Sequence, residues 1–482
     1  MISGYTDHGV HFKPDQESKD QMDQPANKSA DAAQTRWILP ATILGSSLSF
    51  IDSSVVSVAL PAMQRDLHAS LATMQWVVNG YMLMLASLIL PGGSAGDRFG
   101  RRHVFLIGLS AFIIASLACA LAPDTAWLIV ARLVQGVAAA LLVPASLALI
   151  GAAFSGAARG HAIGTWAGAA ALTTALGPPL GGWLVDTISW RAIFYINIPI
   201  GGLAALFALR MPSDRRAAQH TPLDLGGAFL AVASLGLLCD GLITLGRADR
   251  ITGFAELIAA TAAVACFILF EHRADAPMMP LTLFHNRAFS GVNALTVLLY
   301  AALTGVLFLL PFVFINVRGY SATAAGAAFL PLAVIMGLGS RSAGALGSRY
   351  GAGPPMTTGA CLTGSGFALL ALCANDASYW TGTLPGIIII AVGMTIAVAP
   401  LTTAVFDSSP VALSGIASGI NNTAARAGGL IAVAALGLAF GTTGAASIPT
   451  ATLIAAYRLV LLVAAGVAVL GGLITALTVR RN

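Results

Sequence analysis

The chain has 482 residues, of which 57% are apolar and only 9% charged, with a formal net charge of +5. Soluble domains carry roughly a quarter charged residues, so this composition excludes a soluble domain on an anchor and leaves a polytopic helical membrane protein. The positive balance does not point to nucleic acid, because the basic residues sit in short loops rather than on one face.

Residues 1–36 are polar and mix acids such as Asp7, Glu17 and Asp31 with lysines. No apolar core with a cleavage site follows, so this stretch reads as a disordered cytoplasmic tail rather than a signal peptide. From Trp37 onward, apolar runs recur at 37–60, 75–96, 103–122, 126–149, 161–185, 192–210, 223–246, 252–271, 288–316, 322–346, 355–374, 383–405, 414–440 and 453–478, fourteen in all. Each reaches the ~20 residues needed to span the hydrocarbon, and the longer ones must tilt, kink or end outside the lipid. An even number places both termini on one side. If that side is the cytoplasm, it holds most of the arginines and lysines, Arg98, Arg101, Arg102, Arg159, Arg210 and Arg349 among them. The other side holds Arg65, Arg191, Arg247, Arg250 and Arg318. That asymmetry predicts cytoplasmic termini.

The residues inside the spans that cost most are the informative ones. Asp52 lies in the first span, and an ionised Asp near a helix centre costs about 2.5–3.5 kcal/mol on insertion scales. Such an acid is a candidate proton carrier. Arg132, Arg341, Arg426 and Arg458 are the arginines within spans. Counting from the predicted outer ends, Asp52 on span 1 and Arg132 on span 4 both lie roughly 9–12 Å deep. They can therefore meet, either as a proton relay or as a fixed ion pair holding two helices. Gln135 shares the face of Arg132, three residues on. A tight pair opposes protonation of Asp52, so a relay requires the pairing to weaken in one conformation.

The other acids and the aromatics leave alternatives. Asp240 and Glu256 flank the hairpin that carries Arg247 and Arg250, where they form either a snorkelling charge cluster or a second proton- or cation-binding acid. Phe50, Tyr81, Trp166 and Tyr300, with Asn79 and Asn293, are candidates to line a cavity, although facing cannot be read from an all-apolar pattern. Tryptophans such as Trp127, Trp183, Trp190 and Trp380 near span ends read as an interfacial belt. The five cysteines all fall in apolar runs without paired spacing and read as buried small hydrophobes. No histidine lies mid-span, which argues against haem or metal ligation there.

Between spans 2 and 3, Gly93-Ser94-Ala95-Gly96-Asp97-Arg98-Phe99-Gly100-Arg101-Arg102 pairs glycines that permit close helix approach with a tight, basic turn. This pattern resembles the signature loop of the major facilitator superfamily. Arg132-Leu133-Val134-Gln135-Gly136 is similar to that family's R-x-x-Q-G motif. Gly164, Gly168 and Gly177-Pro178-Pro179-Leu180-Gly181-Gly182 resemble the glycine–proline motif of its antiporters, departing at Thr173, where a glycine is usual. The Asp52–Pro61 stretch and Gly415–Arg426 resemble the first and thirteenth spans of the fourteen-helix drug:proton antiporters. A worn copy of the signature loop, Gly344-Ala345-Leu346-Gly347-Ser348-Arg349-Tyr350-Gly351, has Ser348 where the first has Asp97.

The resemblance implies an all-α integral membrane protein of the major facilitator fold, arranged 6 + 2 + 6. Its parts would be the tail at 1–36, an N-terminal half at 37–210, two inserted helices and their loops at 211–287, and a C-terminal half at 288–482. It further implies a signature loop that acts as a conformational gate and a fifth helix that keeps the cavity from leaking. The function expected is proton-coupled export of amphipathic organic compounds or drugs by alternating access in a bacterial inner membrane. Asp52 and Arg132 would serve coupling, with no cofactor, metal or nucleic acid and the proton gradient as driving force. Organic cations are among the candidate substrates, although the sparse membrane acids weaken that expectation. A monomer is expected, any partner channel stays open, and a dedicated exporter or importer of one metabolite is the alternative. A membrane enzyme or a scaffold lacks a supporting cluster or domain.

Overall fold

The computed structural model describes residues 36–212, 223–247, 249–440 and 449–479. The expected tail, all but Arg36 of it, lies outside them. Among the described residues there are helices and no strands. Thirteen helices are long and apolar enough to cross a membrane. They are α1 (Ile38–Asp66), α2 (Leu71–Phe99), α3 (Arg101–Ala120), α4 (Thr125–Ala153), α6 (Ala192–Leu209), α7 (Leu225–Gly246), α8 (Arg250–Arg273), α9 (Arg287–Val317), α10 (Ala322–Tyr350), α11 (Gly353–Leu372), α12 (Tyr379–Asp407), α13 (Val411–Phe440) and α14 (Thr450–Thr478). One more long helix, α5 (Gly156–Thr187), spans 32 residues. It is less apolar because Arg159, His161 and its threonines interrupt a glycine–alanine sequence.

Local chemistry explains where these helices begin and how they carry polar residues. Ser70, Asp124, Asp224 and Asp249 cap α2, α4, α7 and α8, each accepting from a backbone N–H in the first turn. Inside the helices, hydroxyls such as Thr42, Ser146, Thr296 and Thr475 donate to the carbonyl four residues back, which satisfies them without a partner helix. The cysteines split: Cys119 and Cys239 are buried, Cys361 and Cys373 are partly buried, and Cys266 is exposed. The expectation of five buried cysteines is corrected here. A small apolar side chain on the outside of a membrane bundle meets hydrocarbon, so lipid does not force it inward as water would.

Two six-helix bundles repeat one packing scheme. In the first, α1 packs on α5 and α6, α4 on α2 and α3, and α3 on α6; in the second, α9 packs on α13 and α14, α12 on α10 and α11, and α11 on α14. The α7–α8 pair stands between them in sequence, with α7 against α2 and α13. The halves meet where α5 touches α10 and α2 touches α13.

The α5–α10 seam closes one end of the molecule, whereas α2 and α13 stay packed from Gln75–Val433 to Leu90–Gly419. Toward the Asp186 end, a Cβ added at Gly182 would overlap the Ala322 carbonyl, and one at Gly326 would overlap that of Pro178. Asp186 accepts from the Ala322 and Thr323 amides at 3.0 and 2.7 Å, and so caps α10 across the seam. At the same end Asp66 accepts from Trp190 Nε1 at 2.8 Å and pairs with Arg191 at 2.7 Å. Trp190 is thus a buried strap rather than a member of an interfacial belt. Toward the Gly100 end the same two helices stand apart. Residues 155–161 of the chain and 348–350 of α10 are exposed, and a Cβ added at Gly160, Gly164, Gly168, Gly337 or Gly344 would meet no atom within 4 Å. Between α5 and α10 the molecule is packed at the Asp186 end and unpacked at the Gly100 end.

Candidate functional site

Asp52 and Arg132 meet. The α1 residues Ser53 and Phe50 are open or partly open, while Asp52 turns inward and has 0% exposure, beside Arg132 at 1% and Gln135 at 0%. Arg132 Nη1 donates to Asp52 Oδ2 in a buried ion pair, and Gln135 Nε2 donates to Asp52 Oδ1 at 3.0 Å. Arg132 also donates to Gln135 Oε1 at 2.7 Å and, through Nε, to the Val77 carbonyl at 3.1 Å. Its guanidinium lies 4.4 Å from the Tyr81 ring centre and 5.8 Å from that of Phe194. Gln135 Nε2 reaches Ser116 Oγ at 2.9 Å, which also accepts from Asn197 Nδ2 at 3.2 Å. Five helices, α1, α2, α3, α4 and α6, therefore converge on one carboxylate.

That convergence decides what the site can do. Leaving a buried charge without its partner is costly, and here every polar contact of Asp52 is to an immobilised side chain. The arrangement encloses the carboxylate among protein groups in this conformation.

The candidate cavity residues divide. Phe50 packs edge-on against Trp166 with ring centres 5.9 Å apart, joining α1 and α5. Tyr300 lines a cavity of about 130 Å3 with Ser418, Asn421 and Asn422. Gln135 and Tyr81 line no open space; they are buried around Arg132, and Tyr81 Oη lies 2.6 Å from Ser49 Oγ. Asn293 is buried and receives Asn421 Nδ2 at 3.1 Å, with Thr296 accepting from the same nitrogen at 2.8 Å. Asn79 is fully buried, and neither atom of its amide has a partner. Asp240 is partly buried, Glu256 has a buried Oε2 without a partner, and neither forms an ion pair with Arg247 or Arg250.

The two glycine motifs are used unevenly. Gly177 and Gly181 let α5 touch α1 at Ser54 and Val55, and Gly182 makes the seam, whereas Gly164 and Gly168 touch nothing. In the signature loop the close approach falls on Gly92, where a Cβ would overlap the Ala140 carbonyl of α4; around Gly93 and Gly96 there is ordinary or greater room. The expected Gly93–Gly96 contact is thereby corrected by one residue, because α2 presents Gly92 to α4. Gly100 adopts φ 92°, which only glycine tolerates easily, and lets α2 pass directly into α3. Asp97 pairs with Arg101 at 2.9 Å on the surface, Arg98 lies over Phe99, and Arg102 caps α6 through the Ala208 and Leu209 carbonyls at 3.2 and 2.8 Å. In the second copy Gly351 repeats the turn with φ 76°, and Ser348 merely bonds back to Ala345.

Sequence reasoning missed Ser116, Asn197, Asn421, Asp186 and Gly92. Asp186 had a signal, since an acid at the end of a span can cap a neighbouring helix. Ser116 and Asn197 had none that distinguishes them from other small polar residues in apolar runs.

Comparison with known proteins agrees with this architecture. Residues 42–433 match the sequence profile of the Major Facilitator Superfamily. The chain is similar to the tetracenomycin C resistance and export protein of Streptomyces glaucescens, at 35% identity over 430 residues that cover 88% of this chain and 79% of that one. It is also similar to multidrug resistance protein Stp of Mycobacterium tuberculosis, at 35% identity over 83% of this chain and 74% of that one. The methylenomycin A resistance protein of Bacillus subtilis is 34% identical over 83% and 86%. Among solved structures, a D-xylose–proton symporter superposes with a TM-score of 0.67 at 17% identity, over 92% of this chain and 98% of that one. A bacterial homologue of the lysosomal transporter Spinster, in an inward-facing conformation, gives 0.64 at 17% identity over 92% and 97%. Identities this low carry the fold alone.

Proposed function

The chain belongs to the major facilitator superfamily and is a multi-pass membrane transporter of small molecules rather than an enzyme, and on that premise we propose that it exports amphipathic organic compounds or drugs in exchange for protons. The names of its relatives support the cargo, since several are resistance or export proteins for antibiotics. The buried Asp52–Arg132–Gln135 network is the observation that carries the coupling. Taking α5 as a crossing helix gives fourteen spans with both termini in the cytoplasm of a bacterial inner membrane. The basic Gly100 end is then cytoplasmic. The conformation described above faces inward.

In this reading the substrate enters from the cytoplasmic end between α5 and α10 and lodges near the centre. The two halves then rock about the site: the Gly182–Ala322 seam parts, and Gly164 and Gly168 become the packed surface of α5 at the other end. The Asp97–Arg101 pair and the Gly100 turn act as the gate on the cytoplasmic side. Asp52 meets outside water in the outward-facing state and takes a proton. Neutral Asp52 no longer holds Arg132, which keeps its bonds to Gln135 and Val77. Substrate affinity falls with that change, and release follows. Coupling needs proton and substrate to favour different conformations.

The test is transport in proteoliposomes with an imposed pH gradient, comparing wild type with Asp52→Asn across dye cations, neutral drugs and organic acids. Asp52→Asn is expected to abolish gradient-driven accumulation while retaining substrate exchange at equal pH. Full gradient-driven transport by Asp52→Asn would refute the proton-carrier role. Movement of one metabolite and no drug would replace drug export with dedicated transport.

A further inference from the structure

A second costly charge lies across the centre from Asp52, and it has no partner. Arg426 on α13 is partly buried, and its Nε is shut off from solvent without a hydrogen-bond acceptor. The ion pairs among the described residues are Arg101–Asp97, Arg132–Asp52 and Arg191–Asp66, so no carboxylate neutralises it. Arg132, by contrast, has a carboxylate, an amide and a carbonyl.

The surroundings of Arg426 form a polar patch at the junction of the two halves. The pairing of α2 with α13 is antiparallel: Gln75 Nε2 donates to the Val433 and Ala434 carbonyls at 2.6 and 3.2 Å, and Leu90 packs where a Cβ would stand on Gly419. Interpolating between those anchors sets Arg426 level with Leu83, one turn from Asn79. Asn79 is fully buried with both amide atoms unpartnered, and Thr423, one turn before Arg426, has a buried hydroxyl in the same condition. The Tyr81 and Tyr300 hydroxyls, one from each half, lie within electrostatic range of the guanidinium. Ala425, the residue before Arg426, lines a cavity of about 130 Å3 together with Tyr300, Asn421 and Asn422, while Arg426 itself stands beside its wall. A cation, an amide and hydroxyls thus lie near one another, and the nearest acid, Asp52, is already paired with Arg132.

We propose that Arg426 is the substrate-recognition cation of this transporter, binding a carboxylate or acidic phenol of the cargo, with Asn79, Thr423 and Tyr300 supplying neutral hydrogen bonds around it. This rests on the transporter reading and narrows its substrate class: the exported amphiphile is an organic acid rather than a cation. An unpaired guanidinium in a confined site repels a cationic ligand and gains charge-assisted hydrogen bonds from an anionic one. Because Arg426 sits on the seam between α2 and α13, an anion bound there also touches both halves, as a ligand that biases their rocking must.

The experiment measures equilibrium binding by fluorescence anisotropy to the purified full-length protein. Its probes share one aromatic body: pyrenebutyrate, its methyl ester and pyrenemethylammonium. Wild type is expected to bind the carboxylate on the order of tenfold or more tighter than the ester, as charge-assisted hydrogen bonds warrant, and the ammonium most weakly. Arg426→Gln removes the carboxylate preference, with an unchanged gel-filtration profile as the control for intact folding. Arg426→Lys keeps part of the preference, and Arg458→Gln, an exposed arginine on α14, keeps all of it. A carboxylate preference unchanged in Arg426→Gln, or tighter binding of the ammonium by wild type, would overturn the assignment. Gradient-driven efflux of the same probes is read separately. A preference that tracks Arg426 with no efflux of any probe sinks the export reading alone, and efflux of the ester with no carboxylate preference sinks the Arg426 assignment alone.

Discussion

The two six-helix bundles share one packing scheme and differ at their centres. In the N-terminal bundle α1 and α4 bury an ion pair, which Gln135 joins directly and Ser116 and Asn197 support from behind. In the C-terminal bundle the buried polar residues are neutral, such as Asn293, Thr296, Thr363, Thr395 and Thr475, and they bond to their own helix or to Asn421. Arg426 stands at the edge toward the other half without a counter-ion among the described residues. A duplicated scaffold does not duplicate its chemistry: the first half is electrostatically complete, the second is not. The proposed proton handling falls on the half whose central charges are paired, and the proposed recognition on the half whose arginine is not.

The largest expected effect tests that asymmetry directly. Arg132→Ala leaves Asp52 buried and unpaired and is expected to destabilise the protein by about 3–5 kcal/mol, read from denaturant unfolding in detergent. Asn421→Ala in the second half frees only neutral groups and should cost about 1–3 kcal/mol. Equal losses would mean that the two centres are energetically alike. At the seam, Gly182→Val forces a side chain into the α10 backbone, with an expected cost of about 1–3 kcal/mol. It should also raise the alkylation rate of a cysteine placed at Thr323. Gly168→Ala, in open space on the same helix, should be neutral or stabilising by up to about 1 kcal/mol. If it nonetheless slows transport, Gly168 is packed in the opposite conformation. Asp186→Ala removes the cap on α10 and should cost about 0.5–2 kcal/mol while shifting the labelling pattern toward an open Asp186 end. Smallest of all, Asp97→Asn breaks an exposed pair and should change stability by under about 1 kcal/mol. A larger loss would show that the loop is structural.

Much of the site was legible in the chain, for a specific reason. Asp52 and Arg132 are conspicuous because a charge inside an apolar run has few physical excuses, and a rise of 1.5 Å per residue turns sequence position into depth. Gln135 was placed beside Arg132 by helical spacing, yet its burial against Asp52 was not, since a uniformly apolar helix has no polar face to show which way it is turned. The same absence hid Ser116 and Asn197, and it moved the glycine contact of the signature loop from Gly93 to Gly92. Arg426 was visible as expensive, but nothing in its neighbourhood of sequence shows whether an acid waits on another helix.

Hydropathy and length determined the class, and the long helices follow almost directly from the apolar runs, because backbone in hydrocarbon must satisfy its hydrogen bonds locally and so folds without reference to distant partners. The motifs determined the family for a related reason: glycines and arginines at turns answer local steric and interfacial demands. Which end is shut, which glycines touch and which charge goes unpaired were decided only by tertiary structure. Those outcomes depend on how two similar bundles lean on each other through α5, α10, α2 and α13, a contact between distant segments that no single stretch of chain encodes.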